Sequence, residues 1–143
     1  STVGKQLAKA LELEFIDTDS EIVRRTGKKI PDLFKAYGEA GFREIETNVI
    51  KDVSLKTGRV IATGGGAVTR EENLFPLKSN GIIFWVQRDI EKLATNGRPL
   101  SKDLITVQKL YFEREKNYKL FSDFVVDNNQ SVEMAVKGVI EKL

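Results

Sequence analysis

Three consecutive glycines, Gly64, Gly65 and Gly66, follow a short apolar run at 59–61 in the segment Ala62-Thr63-Gly64-Gly65-Gly66-Ala67-Val68. Lacking a Cβ, such residues let a backbone turn sharply and bring bare amides against a ligand. Upstream, Phe15-Ile16-Asp17-Thr18-Asp19 sets two acceptor-only carboxylates at i and i+2 beyond a brief apolar stretch, the edge at which open α/β sheets bind ligands. Arg43 and Glu46 lie three apart on a helical pattern, so they share a face at the margin of its apolar stripe. Each feature also has a plain structural reading: a tight strand-to-helix turn for the glycines, a helix-capping pair for the aspartates, a surface ion pair for Arg43 and Glu46. Arg114 sits in Glu113-Arg114-Glu115-Lys116, which also reads as an ordinary solvated helical run.

Composition narrows the chemistry. The 143 residues contain no cysteine and no histidine, which excludes disulfides, zinc–thiolate sites, a Ser-His-Asp triad and imidazole acid–base catalysis. Carboxylates, cationic side chains, backbone amides and a hard metal ion remain. With 23 basic and 21 acidic residues the net charge of +2 is too balanced to point to nucleic acid. No apolar run approaches membrane-spanning length and no signal-peptide pattern opens the chain, so a cytoplasmic setting is expected.

Those residues need a scaffold, and apolar periodicity alternates between helix and strand as in a parallel sheet with crossover helices. Val3, Leu7, Ala8 and Leu11 mark a first helix, and 14–17 a brief strand. Asp19 is placed to cap a helix over 20–25 that Gly27 closes. Pro31 opens a short helix ended by Gly38, and Phe42, Ile45, Val49, Ile50 and Val53 stripe a longer one over 39–56. The pattern then predicts a strand at 60–62, a helix over 71–78 interrupted near Pro76, and a wholly apolar core strand at 82–86. A helix from Asp89 toward Leu93, a loop over 95–102, a helix over 104–120, a strand at 124–126 and a closing helix over 132–143 complete the expectation. No linker, repeat or low-complexity tract interrupts the chain, which reads as a single domain over 1–143.

Taken together the motifs resemble the shikimate kinases, a P-loop family similar to the nucleoside-monophosphate kinases. The resemblance covers essentially the whole chain. It rests on Ser1-Thr2-Val3-Gly4-Lys5 with Leu7-Ala8, Phe15-Ile16-Asp17-Thr18-Asp19, Thr26-Gly27 with Ile30 and Phe34, Gly38-Glu39 and Phe42-Arg43 with Glu46, Gly64-Gly65-Gly66-Ala67-Val68, Arg98-Pro99-Leu100, and Arg114 ahead of Tyr118 and Val126-Asp127. It implies a three-layer α/β/α fold with a short parallel sheet and a lid near 95–103. The family's phosphate loop G-x-x-x-x-G-K-[ST] is matched here only by its Ser-Thr ending. The expectation is therefore that roughly a dozen upstream residues, a central strand plus the glycine-rich loop, are absent from the sequence, and that the chain as given does not turn over.

The resemblance implies transfer of the γ-phosphoryl of ATP, with Mg²⁺, to the 3-hydroxyl of shikimate by a monomer. Ser1 and Thr2 would meet nucleotide, with the Ser1 hydroxyl on Mg²⁺, and Asp17 would hold the metal through water. Asp19 would accept substrate hydroxyls and assist deprotonation, mostly by positioning. Arg43 and Arg114 resemble two arms of a carboxylate clamp, with Glu46 orienting the first; a guanidinium fork suits a carboxylate as a lysine does not. Gly64, Gly65 and Gly66 would line the substrate, and Arg98 would close over ATP phosphates and offset transition-state charge. Leu93-Ala94-Thr95 lacks an arginine that relatives often stack on adenine, and Lys116-Asn117 stands where they often have Pro-Leu. Arg24, Arg25, Lys28 and Lys29 read as a solvated helix end. Two other functions fit parts of the pattern: a sugar-acid kinase such as a gluconate kinase, and a degenerate shikimate-binding or regulatory module without phosphoryl transfer.

Overall fold

The structure is a computed structural model that describes residues 2–87 and 100–143; the side chains of 100–104 and 107 lie outside that description. The chain groups into two compact units, Ser1–Ile82 and Ile83–Leu143, each built on one pair of parallel strands.

In the first unit, α1 (Thr2–Leu11) leads to β1 (Glu14–Asp17), α2 (Thr18–Thr26), α3 (Ile30–Val53) and β2 (Arg59–Ala62). Two 3₁₀ turns, Gly65–Thr69 and Glu71–Asn73, then lead into α4 (Leu74–Ser79). β1 pairs in parallel with β2 in the register Glu14↔Arg59 to Asp17↔Ala62, and α2 with α3 forms the crossover that parallel pairing requires. The core sets Ile22 of α2 against Leu33, Phe42, Val49 and Val53 of α3, with Ile16 and Ile61 of the strands packed onto it. The glycine break expected in this long helical stretch is present: Gly38 has φ +71° and ψ 179°, dividing α3 into 30–37 and 39–53. An L side chain there would be strained, whereas glycine adopts this backbone freely.

Several boundaries differ from the sequence-based expectation. α2 starts at Thr18, capped by Asp17 and not by Asp19, because the Asp17 carboxylate accepts from the Ser20 amide at 3.1 Å. The long helix stops at Val53, where Ser54 caps it. The interruption expected near Pro76 falls earlier, between Asn73 and Leu74, so Pro76 lies in the first turn of α4, where a missing N–H costs nothing.

The second unit contains β3 (Phe84–Gln87), α5 (Leu100–Phe121), β4 (Phe124–Asp127) and α6 (Val132–Glu141). β3 and β4 pair in parallel from Phe84↔Phe124 to Gln87↔Asp127. The strand expected at 82–86 is thus displaced: Ile82 and Val86 are exposed, since the ladder is bounded by its partner and not by the apolar run. Trp85 lies 5.3 Å from Tyr118 and 6.3 Å from Tyr111, centroid to centroid, and the Gln87 amide donates to the Tyr111 hydroxyl at 3.0 Å. Ser131 caps α6 through the Met134 amide, and Ala135, Val136 and Val139 bury its inner face. α5 begins at Leu100, so the last part of the expected lid (100–103) is helical, while 95–99, Arg98 and the helix expected from Asp89 lie outside the described residues.

A candidate active site on the first unit

Parallel register brings the chemistry together. Because Asp17 is paired with Ala62, the residues just past the two strands emerge side by side, Asp19 from β1 and Gly64 from β2. A Cβ at Gly64 would lie 3.0 and 3.3 Å from the Asp19 carboxylate oxygens and 3.4 Å from Glu46 Oε2, so the bare Cα is the floor between two carboxylates. Burial pushes the Asp19 carboxyl above the usual aspartate range; the neighbouring Asp17 charge adds to that rise, and the Arg43 guanidinium opposes it. Asp19 is thereby electrostatically tied to both Asp17 and Arg43.

Arg43 and Glu46, which spacing alone allows as a surface pair, are buried at 8% and 1% exposure. Arg43 Nη1 donates to Glu46 Oε1 at 2.8 Å, and Nε lies 3.8 Å from the Glu39 carboxylate. The guanidinium carbon sits 5.2 Å from the Phe42 ring centroid and 5.7 Å from that of Phe34, two rings stacked on each other at 4.4 Å. The guanidinium also meets the backbone of Gly66, where a Cβ would overlap Nη2, Cζ and Nη1. Three elements therefore fix one side chain: the two halves of α3 supply rings and carboxylates, and the turn after β2 supplies bare backbone. Held this way, a planar cationic fork is ready for an oxyanion without the entropy cost of ordering a long side chain.

The glycine turn has its own supports. The Gly64 carbonyl accepts from the Ala67 amide at 3.1 Å, the Gly66 carbonyl from the Thr69 hydroxyl at 2.6 Å, and the Ala67 carbonyl from the Asn73 side-chain amide at 2.8 Å. Just beyond it, Arg70 reaches α3, bonding Glu44 at 2.7 Å and the Ala40 carbonyl at 3.4 Å. Sequence reasoning did not single out Asn73 or Arg70, which carry no local pattern, and read Glu39 only within the Gly38-Glu39 motif, although its i, i+4 spacing from Arg43 was a usable signal.

Of the other expected site residues, Gly65 lies in the turn between Gly64 and Gly66, and Thr2 is the first residue of α1. Arg114 is half-buried on α5 of the second unit. Ser1 and Arg98 lie outside the described residues. No group of three or more acidic side chains gathers as a metal cage among the described residues. The adjacent carboxylates of Asp17 and Asp19 instead suit a hard cation that keeps its waters and is shared with substrate phosphates. A separate open depression includes Asp17 together with Lys5, Arg24, Arg25 and Arg59, but not Asp19, Arg43 or Glu46.

The family model described as shikimate kinase matches residues 1–143. A shikimate kinase of Pseudoalteromonas translucida is 40% identical, with all of this chain aligned to 89% of that protein. One from Buchnera aphidicola is 37% identical over 100% of this chain and 88% of its own. The solved shikimate kinase of Aquifex aeolicus superposes with TM-score 0.86 at 36% identity, covering 99% of this chain and 87% of that one. The Acinetobacter baumannii enzyme, solved in complex with shikimate, superposes with TM-score 0.85 at 34% identity, covering 99% of this chain and 82% of that one. Buried guanidinium, twin carboxylates and glycine turn thus sit in a chain that belongs to the shikimate kinase family.

Proposed function

We propose that this protein transfers the γ-phosphoryl of ATP to the 3-hydroxyl of shikimate, giving shikimate 3-phosphate for chorismate and aromatic amino acid biosynthesis. One observation supports the assignment most: the Arg43 guanidinium is immobilised by Glu46, two rings and the Gly66 backbone, next to the Asp19 and Glu46 carboxylates that flank Gly64. A cationic fork beside hydroxyl acceptors matches a ring acid that carries both a carboxylate and hydroxyls.

In this reading Arg43 holds the substrate carboxylate and Glu46 keeps the fork oriented, while Arg114 contributes a second cation to the same recognition. Asp19 accepts the hydrogen of the attacking hydroxyl and aims its oxygen; phosphoryl transfer through a loose transition state asks more for aim than for base strength. Gly64, Gly65 and Gly66 offer backbone where a side chain would displace the substrate. Ser1, Thr2 and Arg98 serve the nucleotide, with Ser1 and Asp17 as the holders of Mg²⁺. When bound, Mg²⁺ neutralises phosphate charge. No described helix is long and apolar enough to cross a membrane, and the reading takes a cytoplasmic monomer as its setting.

The test is ADP release by the full-length protein with shikimate and with gluconate, alongside calorimetric binding of each. Shikimate-dependent turnover supports the proposal. Preference for gluconate, or shikimate binding with no ADP formed, defeats it. Within an active enzyme, Arg114→Ala should weaken shikimate binding and leave ATP binding intact; loss of both, or of neither, removes Arg114 from the site.

A further inference from the structure

We infer that Asn73 is a positioning residue, one that holds the Gly64–Gly66 turn in the shape that meets Arg43, Asp19 and Glu46. The inference rests on the reading of that cluster as the shikimate site. Asn73 is completely buried, yet it is polar and stands on a separate 3₁₀ turn, Glu71–Asn73. Its Nδ2 donates to the Ala67 carbonyl at 2.8 Å, whereas its Oδ1 finds no donor among the described residues. Only the NH₂ end of the amide can face a carbonyl, so the orientation is chemically fixed. A buried side chain that satisfies just one of its two polar ends is a poor choice for filling space, where leucine of similar volume carries no such penalty.

What the amide does accomplish is local. The Gly64 and Gly66 carbonyls are engaged from inside the turn, by the Ala67 amide and the Thr69 hydroxyl, and the Ala67 carbonyl is engaged from outside it by Asn73. Each engaged carbonyl sets the plane of its peptide group, since the peptide is rigid. Asn73 thereby ties the end of the turn to the chain that enters α4. Gly66 is one residue before Ala67, and its backbone is the surface on which the Arg43 guanidinium rests. Releasing the Ala67 carbonyl lets that surface move while leaving Arg43, Asp19 and Glu46 chemically unchanged.

The experiment compares Asn73→Asp, Asn73→Leu and Asn73→Ser in the full-length protein with Val139→Ala, which thins the buried core of the second unit. Asp reverses the polarity facing the Ala67 carbonyl, Leu keeps volume without a donor, and Ser keeps a short donor. Expected for Asp and Leu is a rise of about ten- to a hundredfold in KM for shikimate, mirrored in calorimetric affinity, with KM for ATP unchanged. Ser should fall between them and the parent. The inference is overturned if Leu retains the parental KM, if Val139→Ala reproduces the same split at equal loss of thermal stability, or if no Asn73 variant folds, since the amide would then serve the whole unit. Failure of the parent protein to phosphorylate shikimate would sink the assigned reaction instead, a result separate from any of these.

Discussion

Arg43 with Glu46 and Arg24 with Glu21 are both arginine–carboxylate pairs three residues apart on a helix, in α3 and α2 of the same unit. The Arg24 side chain is 69% exposed and the Arg43 side chain 10%. On α2, Glu21 answers Arg24 and Arg25 together, and Arg25 also reaches Asp52, a mesh whose Arg24 and Asp52 ends are open to water. On α3, burial removes the water that would screen the pair, and the rings, Gly66 and Glu39 remove its freedom to rearrange. Identical spacing therefore yields a solvated helix end in one place and a buried, immobilised fork in the other. Surroundings, not separation along the chain, decide which.

The contrast is broken or sharpened most by deleting one carboxylate from each pair. Glu46→Ala should lose about 3–5 kcal/mol of stability, read by urea denaturation, because it removes the hydrogen-bonded carboxylate of a buried cation, and shikimate phosphorylation should vanish with it. Glu21→Ala should change stability at pH 7 little and in a salt-dependent way. Equal losses would erase the distinction. Next in size, Gly66→Ala drives a methyl into the guanidinium, at a cost of about 1–3 kcal/mol, and should raise KM for shikimate while sparing KM for ATP; an unaltered KM would show that the contact is slack. Arg43→Lys keeps the charge but not the fork, and about a tenfold loss of shikimate affinity by calorimetry is expected, roughly 1.4 kcal/mol.

Smaller effects appear in pH dependence. With Asp19 as the proposed acceptor of the substrate hydroxyl, the acid limb of kcat/KM should lie above the ordinary aspartate range, because its pKa is raised, and Arg43→Met should move that limb higher by removing the cation that lowers it. The raised value also means that ionised Asp19 is unfavourable in the fold, so stability falls as pH rises from 3.8 through the raised pKa, and Asp19→Asn should flatten that fall. Glu21 has the opposite sign: hydrogen bonds from Arg24 and Arg25 hold its carboxyl down near 2, so its contribution is present above 4.5 and is lost as pH falls toward 2. Glu21→Gln should remove that acid-side slope and leave the Asp19 window untouched.

Much of the frame was legible from pattern. The strand at 14–17 and the glycine break at Gly38 follow from signals carried by the residues themselves: a short apolar run with polar ends, and a residue that tolerates positive φ. Whatever depended on a partner was not legible. Asp17 and Asp19 are equivalent as sequence, and only the hydrogen bond to Ser20 makes the first the cap and leaves the second facing Gly64. Burial of Arg43 and Glu46 needs Gly66 and the stacked rings closing over them, contacts that helix periodicity cannot encode. β3 was misplaced for a related reason, since its ends are set by β4, forty residues away, through pairs such as Phe84↔Phe124.

Trp85 is the chain's one tryptophan, and it belongs to β3 beside Tyr111 and Tyr118. Excited at long ultraviolet wavelength, the protein therefore emits from the second unit alone, while backbone dichroism reports helices of both. Overlaying the two melting traces turns a single indole into a built-in gauge of whether the halves lose their structure in one step or in sequence.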